Sequence, residues 1–157
     1  MMKRVLELLR NTDRPLGSYV WRAWLIAMLP SLVVSALVAF ALPDSAPPLK
    51  GPAVFILVGV LFLSPWLETL LMWPVLWLLK RCIGSMVGVA AASAVFWGVL
   101  HSLAAPAWGL VVAWPFFVFS LCFLAWEKKS AGRAIVATAV LHMCQNALPA
   151  LALALAS

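Results

Sequence analysis

Five apolar stretches, each long enough to cross a lipid bilayer as a helix, constrain the fold of this chain more than any other feature. A bilayer core requires about 20 apolar residues per helix. The stretches lie at approximately 20–42, 53–79, 85–104, 107–126 and 134–156. Short polar or proline-rich segments separate them, such as the linker PDSAPPLKGP. The sequence therefore predicts an all-α bundle of about five transmembrane helices, with residues 1–157 forming a single integral membrane domain.

Composition excludes an ordinary soluble domain. Hydrophobic residues make up 66% of the chain and charged residues 10%, whereas soluble domains carry about 25% charged residues. A soluble fold of 157 residues also lacks the interior volume to bury this much apolar surface. The net charge of +6 does not indicate a nucleic-acid partner, because the cations lie between apolar stretches rather than in one stripe with interleaved aromatic residues.

The distribution of the cations predicts the orientation of the protein in the membrane. Five spans place the two termini on opposite sides, and Lys50 is then the only cation on the outer side. Because cytoplasmic loops carry an excess of Lys and Arg, we expect a cytoplasmic N-terminus and an external C-terminus. Residues 1–19 lack a continuous apolar run, so we expect an amphipathic surface segment rather than a cleaved signal peptide.

One glutamate and the two histidines are the exceptional residues of the apolar stretches. A charged residue at the centre of a transmembrane helix costs about 2.5–3.5 kcal/mol on insertion scales, and of the five acidic residues only Glu68 lies deep within a span. His101 and His142 lie in the third and fifth spans, and Asn146 follows His142 by about one helical turn, on the same face. Three spans therefore each contribute a polar group, and together they predict one shared site inside the bilayer.

Two further features predict a cavity between closely packed helices. Pro65 and Pro74 bracket Glu68, and a proline inside a transmembrane helix frees backbone groups that polar side chains or water then satisfy. The third span is rich in small residues, which let helix backbones approach closely and would bring His101 near another helix. Structural alternatives stay open: the kink could serve shape alone, Glu68 could be a protonated structural acid, and the imidazole and amide groups could join helices.

The cysteines indicate no disulfide framework. Cys82, Cys122 and Cys144 are odd in number, lie in or beside apolar stretches and lack the spacing of a metal site. We interpret them as small apolar residues of helices. Cys144 lies between His142 and Asn146 and is therefore also a candidate for lining the site.

These residues resemble the motifs of the CPBP family of intramembrane proteases, which includes CAAX-prenyl endopeptidases and bacteriocin-processing or immunity proteins. The family carries the motifs EExxxR, FxxxH and HxxxN on separate helices. The third motif is intact as His142–Asn146, and the second appears as WGVLH, in which Trp97 replaces phenylalanine before His101. The resemblance covers residues 65–148, which we expect to form the catalytic core.

The first motif departs from the family pattern. It appears as SPWLETLLMW, which keeps the leading glutamate as Glu68 but has Thr69 for the second glutamate and Trp73 for the arginine. This departure suggests a divergent bacterial subgroup, and the resemblance then implies a location in the bacterial inner (plasma) membrane. Small relatives of this type can accompany C-terminal protein-sorting systems, and we expect the same role here. Together with Trp97 and Cys144, Thr69 and Trp73 are the candidates for lining the site.

The resemblance implies an intramembrane endopeptidase that acts on a membrane-anchored protein or peptide. Glu68 would activate water as a general base, and His101 would position that water. His142 and Asn146 would stabilise the oxyanion of the tetrahedral intermediate. We expect no cofactor and no metal, because HExxH is absent and the candidate ligands come from three helices. A zinc site formed by Glu68, His101 and His142 is the alternative.

The sequence leaves two other functions open. The altered first motif favours a catalytically inactive relative that binds a peptide or acts as an immunity protein. A proton-linked carrier could also use an acid and two histidines, but five spans with one buried acid and no inverted repeat argue against it.

The heights of the polar groups pose a geometric problem. At about 1.5 Å per residue, Glu68 lies about 18 Å from Lys80, and His142 lies about 14 Å from Arg133. On the same scale His101 lies about 24 Å beyond the start of its span. We therefore expect tilted helices or staggered helix ends.

Overall fold

The computed structural model describes residues 2–43, 45 and 52–156, and the described chain folds into helices without a β-strand. The elements in chain order are α1 (Met2–Arg10), α2 (Leu16–Ala41), α3 (Ala53–Val58), a π-helical turn (Gly59–Leu63), α4 (Ser64–Cys82), α5 (Met86–Ala104), α6 (Trp108–Glu127) and α7 (Ala131–Ala156). Because α3, the π-helical turn and α4 follow one another without a break, they form one long helix. Most of the proline-rich linker, including Lys50, lies outside the described residues.

Within the described residues, five helices are long and apolar enough to cross a membrane, which confirms the predicted architecture. They are Leu16–Ala41, Val54–Cys82, Met86–Ala104, Trp108–Glu127 and Ala131–Ala152. The helices begin or end a few residues outside the apolar stretches, since a helix can continue into the polar boundary of the bilayer. The first span thus begins at Leu16, so residues 16–19 belong to α2 rather than to a separate surface segment.

Helix α6 lies at the centre of the bundle. Its side chains Phe116, Phe119 and Phe123 are fully buried, and α6 packs against α2, α5 and α7. The other spanning helices expose many large apolar side chains on their outer faces, for example Leu37 on α2 and Leu71 on α4. This pattern is expected for a bundle whose surrounding solvent is lipid, because outward leucines then cost nothing.

The hairpin of α5 and α6 depends on a close approach of two glycines. A Cβ atom at Gly109 would collide with the carbonyl of Gly98 and with the hydroxyl of Ser102. Further along the hairpin, the Ser120 hydroxyl donates to Ser93 Oγ at 2.9 Å. The small residues of the third span therefore do bring α5 against another helix, as the sequence predicted.

One end of the bundle collects the cations. Lys80 at the end of α4 bonds Glu127 at the end of α6 at 2.7 Å. Lys129, before α7, donates to the carbonyl of Thr12 in the linker between α1 and α2. The Tyr19 hydroxyl of α2 donates to the Leu9 carbonyl at 2.7 Å, which fixes α1 to the same end. We call this the basic end; its position on the cytoplasmic side stays a prediction.

Candidate active site

Pro65 shapes the helix that carries Glu68. The Ser64 N–H donates to the Gly59 carbonyl, five residues earlier, which closes the π-helical turn. The next π-type bond would join the N–H of residue 65 to the Val60 carbonyl, but proline has no N–H. The Asn146 side chain of α7 supplies the missing donor, with its Nδ2 atom 2.9 Å from the Val60 oxygen. The helix continues through Pro65 by way of a π-helical turn, and a polar group of another helix satisfies the carbonyl that the proline leaves free.

Three polar side chains from three helices meet around one carboxylate oxygen. Glu68 Oε2 lies 3.8 Å from His101 Nε2 and 3.9 Å from His142 Nε2. The exposed fractions of the three side chains are 19% for Glu68, 14% for His101 and 5% for His142. The groups that the sequence placed at different heights thus lie together. Counted from the short linker between α4 and α5, Glu68 and His101 lie about equally far along their helices, so the packing of α4 against α5 brings them to one level.

Ser64 orients the carboxylate. Its hydroxyl donates to Glu68 Oε1, whereas Oε2 is buried and has no hydrogen-bond partner among the described residues. Residues four apart share a helix face, so the helix itself places the hydroxyl beside the carboxylate. Ser64 was not among the residues predicted from the sequence, although its spacing of four residues from Glu68 already places the two side chains on one helix face.

The ring orientation of His101 is fixed by its own helix. Nδ1 lies 2.8 Å from the Trp97 carbonyl oxygen, and since a carbonyl only accepts, Nδ1 must carry the hydrogen. In the neutral ring Nε2 therefore presents a lone pair toward Glu68 Oε2. Two acceptors that face each other across 3.8 Å are suited to hold a water molecule that donates one hydrogen to each.

Aromatic rings of α6 support both imidazoles. Phe116 lies 5.1 Å from the His101 ring and 5.5 Å from the His142 ring, and Phe119 lies 4.5 Å from the His142 ring, all between centroids. These contacts restrict rotation of both imidazoles. Sequence reasoning missed Phe116 and Phe119, because α6 is apolar on all sides and its pattern does not distinguish the face toward the site.

His142 is the most deeply buried of the three groups. Its Nδ1 atom is buried and has no hydrogen-bond partner within the described part of the chain. If the ring is neutral and carries its hydrogen on Nε2, only an acceptor lone pair is left unpartnered at Nδ1, and Nε2–H points toward the carboxylate and the space beside it. In that tautomer His142 can donate a hydrogen bond into the site.

The four candidates for lining the site have different positions. Trp97 is buried, stacks on Phe116 with ring centroids 5.0 Å apart, and supplies the carbonyl that holds His101. Thr69 is fully buried beside Glu68 in sequence, and its hydroxyl has no partner among the residues described. Trp73 follows Glu68 by five residues, about 140° around the helix, and its side chain is 40% exposed. The Cys144 carbonyl accepts from Trp24 Nε1 at 3.0 Å, which joins α7 to α2.

Asn146 was expected to act only together with His142, but its side chain also contacts another helix. Its amide nitrogen carries two hydrogens, and the bond to Val60 uses one of them. The structure therefore adds a bridging contact to the π-helical turn, which the sequence could not reveal because the partner is a backbone atom.

No group of three metal-type ligands with suitable geometry occurs among the described residues. Glu68, His101 and His142 are the side chains that would hold zinc in the alternative reading. The expectation of a metal-free site stays a prediction. The thiols of Cys82, Cys122 and Cys144 are free.

No family model matches the chain, and neither a curated protein nor a solved structure matches it. The resemblance to the CPBP proteases accordingly rests on the motif residues and their order along the chain.

Proposed function

We propose that the protein is an intramembrane endopeptidase in which Glu68 activates water to hydrolyse a peptide bond of a membrane-anchored protein or peptide. The observation that carries the proposal is the approach of both imidazoles, at 3.8 and 3.9 Å, to one unpartnered oxygen of a carboxylate buried among apolar helices. Such clusters are costly within a bilayer and are typical of functional sites.

Water activation begins between Glu68 and His101. A water molecule that donates to Glu68 Oε2 and His101 Nε2 has its own lone pairs directed away from both acceptors. Its oxygen attacks the carbonyl carbon of the substrate while Glu68 takes the proton. Glu68 then returns this proton to the amide nitrogen as the C–N bond breaks, which yields a carboxylic acid and an amine. His101, held by the Trp97 carbonyl, orients the water throughout.

Stabilisation of the oxyanion falls to α7. His142 can donate from Nε2, and Asn146 lies one turn further on the same face with one amide hydrogen not used by Val60. Donors fixed in a water-poor site stabilise developing negative charge better than donors in bulk water. Packing of His142 against Phe119 and Phe116 supplies this fixed orientation.

The proposed setting is the bacterial inner membrane, with the basic end on the cytoplasmic side. Lys80, Arg81 and the cations around α1 and the start of α7 lie at this end, which agrees with the preference of Lys and Arg for the cytoplasm. The substrate class follows from the location of the site, because a peptide bond that reaches Glu68 must itself enter the bilayer region.

Replacement of Glu68 by glutamine tests the proposal. Glu68→Gln keeps the size of the side chain and the ability to accept from Ser64 but removes the base. We expect loss of cleavage by about 10²–10⁴-fold, the usual contribution of general acid–base catalysis. The readout is mass-spectrometric mapping of new protein termini in membranes of cells that express the wild type or the variant.

A matched control is Glu127→Gln, which removes a carboxylate that is bonded to Lys80 outside the site. We expect its termini to equal those of the wild type. Unchanged cleavage in Glu68→Gln, with normal protein levels, would overturn the proposal and favour the alternative of an inactive, peptide-binding relative. This alternative is supported by the altered first motif, in which Thr69 and Trp73 stand where the family has glutamate and arginine.

A further inference from the structure

A groove with three cationic side chains lies at the basic end, distant from Glu68. It has a volume of about 440 Å³ and lies between the linker that precedes α2, the end of α6 and the start of α7. Its lining residues are Arg14, Leu16, Trp126, Lys129, Gly132, Arg133 and Val136. Cationic and apolar residues thus line one groove, and the candidate active site uses none of them.

The charge of the groove is not balanced by nearby acids. No carboxylate of the described residues lies within 4 Å of the guanidinium of Arg14 or Arg133. Lys129 is 4.0 Å from Asp13, whose side chain is 92% exposed. The residues that line the groove thus include three cations and no acid, and Asp13 approaches only Lys129. This excess favours an anionic occupant.

The apolar residues of the groove specify the kind of anion. Leu16, Trp126 and Val136 belong to spanning helices, and Val136 is 42% exposed on the outer surface of α7. A molecule with its charge near Arg14 and Arg133 would therefore have a path along Val136 toward the interior of the bilayer. A free phosphate ion would leave this apolar half without a partner.

We propose that this groove binds an anionic phospholipid, with the phosphate held by Arg14 and Arg133 and the first part of an acyl chain packed against Val136. Basic pockets between transmembrane helices on the cytoplasmic side commonly hold lipid head groups. Guanidinium groups suit phosphate because they donate two hydrogen bonds in one plane. The start of α7 adds a favourable partial positive charge.

Charge removal provides the first test. The purified protein in detergent is titrated with phosphatidylglycerol, and lipid retention is measured by native mass spectrometry. The double variant Arg14→Gln/Arg133→Gln should bind the lipid at least about tenfold more weakly than the wild type. The control Arg4→Gln/Arg81→Gln removes the same charge at the same end but outside the groove and should bind as the wild type does.

Filling the groove provides a second test that leaves the charge unchanged. A Cβ atom at Gly132 meets no atom within 4 Å, so Gly132→Leu fits into open space and should block the lipid. The control Gly84→Leu, also in open space but outside the groove, should leave binding intact. A thermal melt followed by circular dichroism shows that each variant is folded.

The outcomes separate the sources of phosphate. Tight binding of phosphatidylglycerol with weak binding of phosphatidylcholine and of inorganic phosphate supports the proposal. Equal binding of phosphatidylcholine, equal losses in the groove variants and their controls, or competition by millimolar-range inorganic phosphate alone would overturn it. None of these readouts depends on proteolysis.

Discussion

The bond between Asn146 and Val60 exists because Pro65 has no N–H, and this dependence can be measured. Asn146→Ala removes the donor at 2.9 Å from the Val60 oxygen and leaves that carbonyl without its partner inside a membrane-spanning helix. An unsatisfied group of this kind costs about 1–3 kcal/mol, while hydrogen bonds between membrane helices average about 0.6 kcal/mol and reach about 1.7 kcal/mol. We therefore expect a loss of about 1–2 kcal/mol in the free energy of unfolding.

Pro65→Ala supplies the partner that the wild type lacks. With an N–H at residue 65, the Val60 carbonyl can accept a backbone bond within the helix, so Asn146 is no longer required there. Asn146→Ala in the Pro65→Ala background should then cost less than about 0.5 kcal/mol, which gives a coupling energy of about 1 kcal/mol. The free energy of unfolding is measured by titration with a denaturing detergent, followed by circular dichroism. An equal cost of Asn146→Ala in both backgrounds would refute this account of the π-helical turn.

Three further predictions concern packing, topology and metal. Gly109→Ala should lower the free energy of unfolding by about 1–3 kcal/mol, because the new Cβ atom collides with the Gly98 carbonyl. The control Gly17→Ala lies in open space and should change the free energy of unfolding by less than about 1 kcal/mol. An equal effect of both variants in the same detergent titration would contradict the close approach of α5 and α6. Cys82 is exposed at the basic end and should react with a membrane-impermeant maleimide in inverted vesicles but not in intact cells. A cysteine introduced at the opposite end by Pro106→Cys should react in intact cells but not in inverted vesicles. Labelling of Cys82 in intact cells would show that the basic end lies outside, contrary to the proposed orientation. Dialysis against a zinc chelator should leave proteolysis unchanged, and a loss that only added zinc restores would support the zinc alternative.

The sequence was sufficient for the helical spans and for the polar residues within them. A span must be apolar over about 20 residues, and Glu68, His101 and His142 interrupt that pattern against a large energetic cost. Their departure from the surrounding composition was therefore visible without any structure.

The surroundings of these residues could not be predicted in the same way. Phe116 and Phe119 are two of many aromatic residues in an apolar helix, and hydropathy alone does not say which side of α6 faces the imidazoles. The contact of Asn146 is with the backbone carbonyl of Val60, and because every residue has a backbone carbonyl, the sequence does not mark this one. The approach of Glu68 to His101 depends on how α4 packs against α5, which neither stretch reveals by itself.

The central claim is that Glu68 meets both imidazoles inside the bundle, and cross-linking in native membranes tests it most directly. In a chain whose native cysteines are replaced by alanine, the pairs Glu68→Cys/His101→Cys and Glu68→Cys/His142→Cys are treated with a short bifunctional thiol reagent. The account predicts an intramolecular cross-link in both pairs and none in the control pair Trp73→Cys/His142→Cys, whose first position faces outward. A cross-link in the control pair alone would contradict the account. So would the absence of a cross-link in both pairs that include Glu68→Cys, provided that the cysteines of each pair react with a monofunctional reagent.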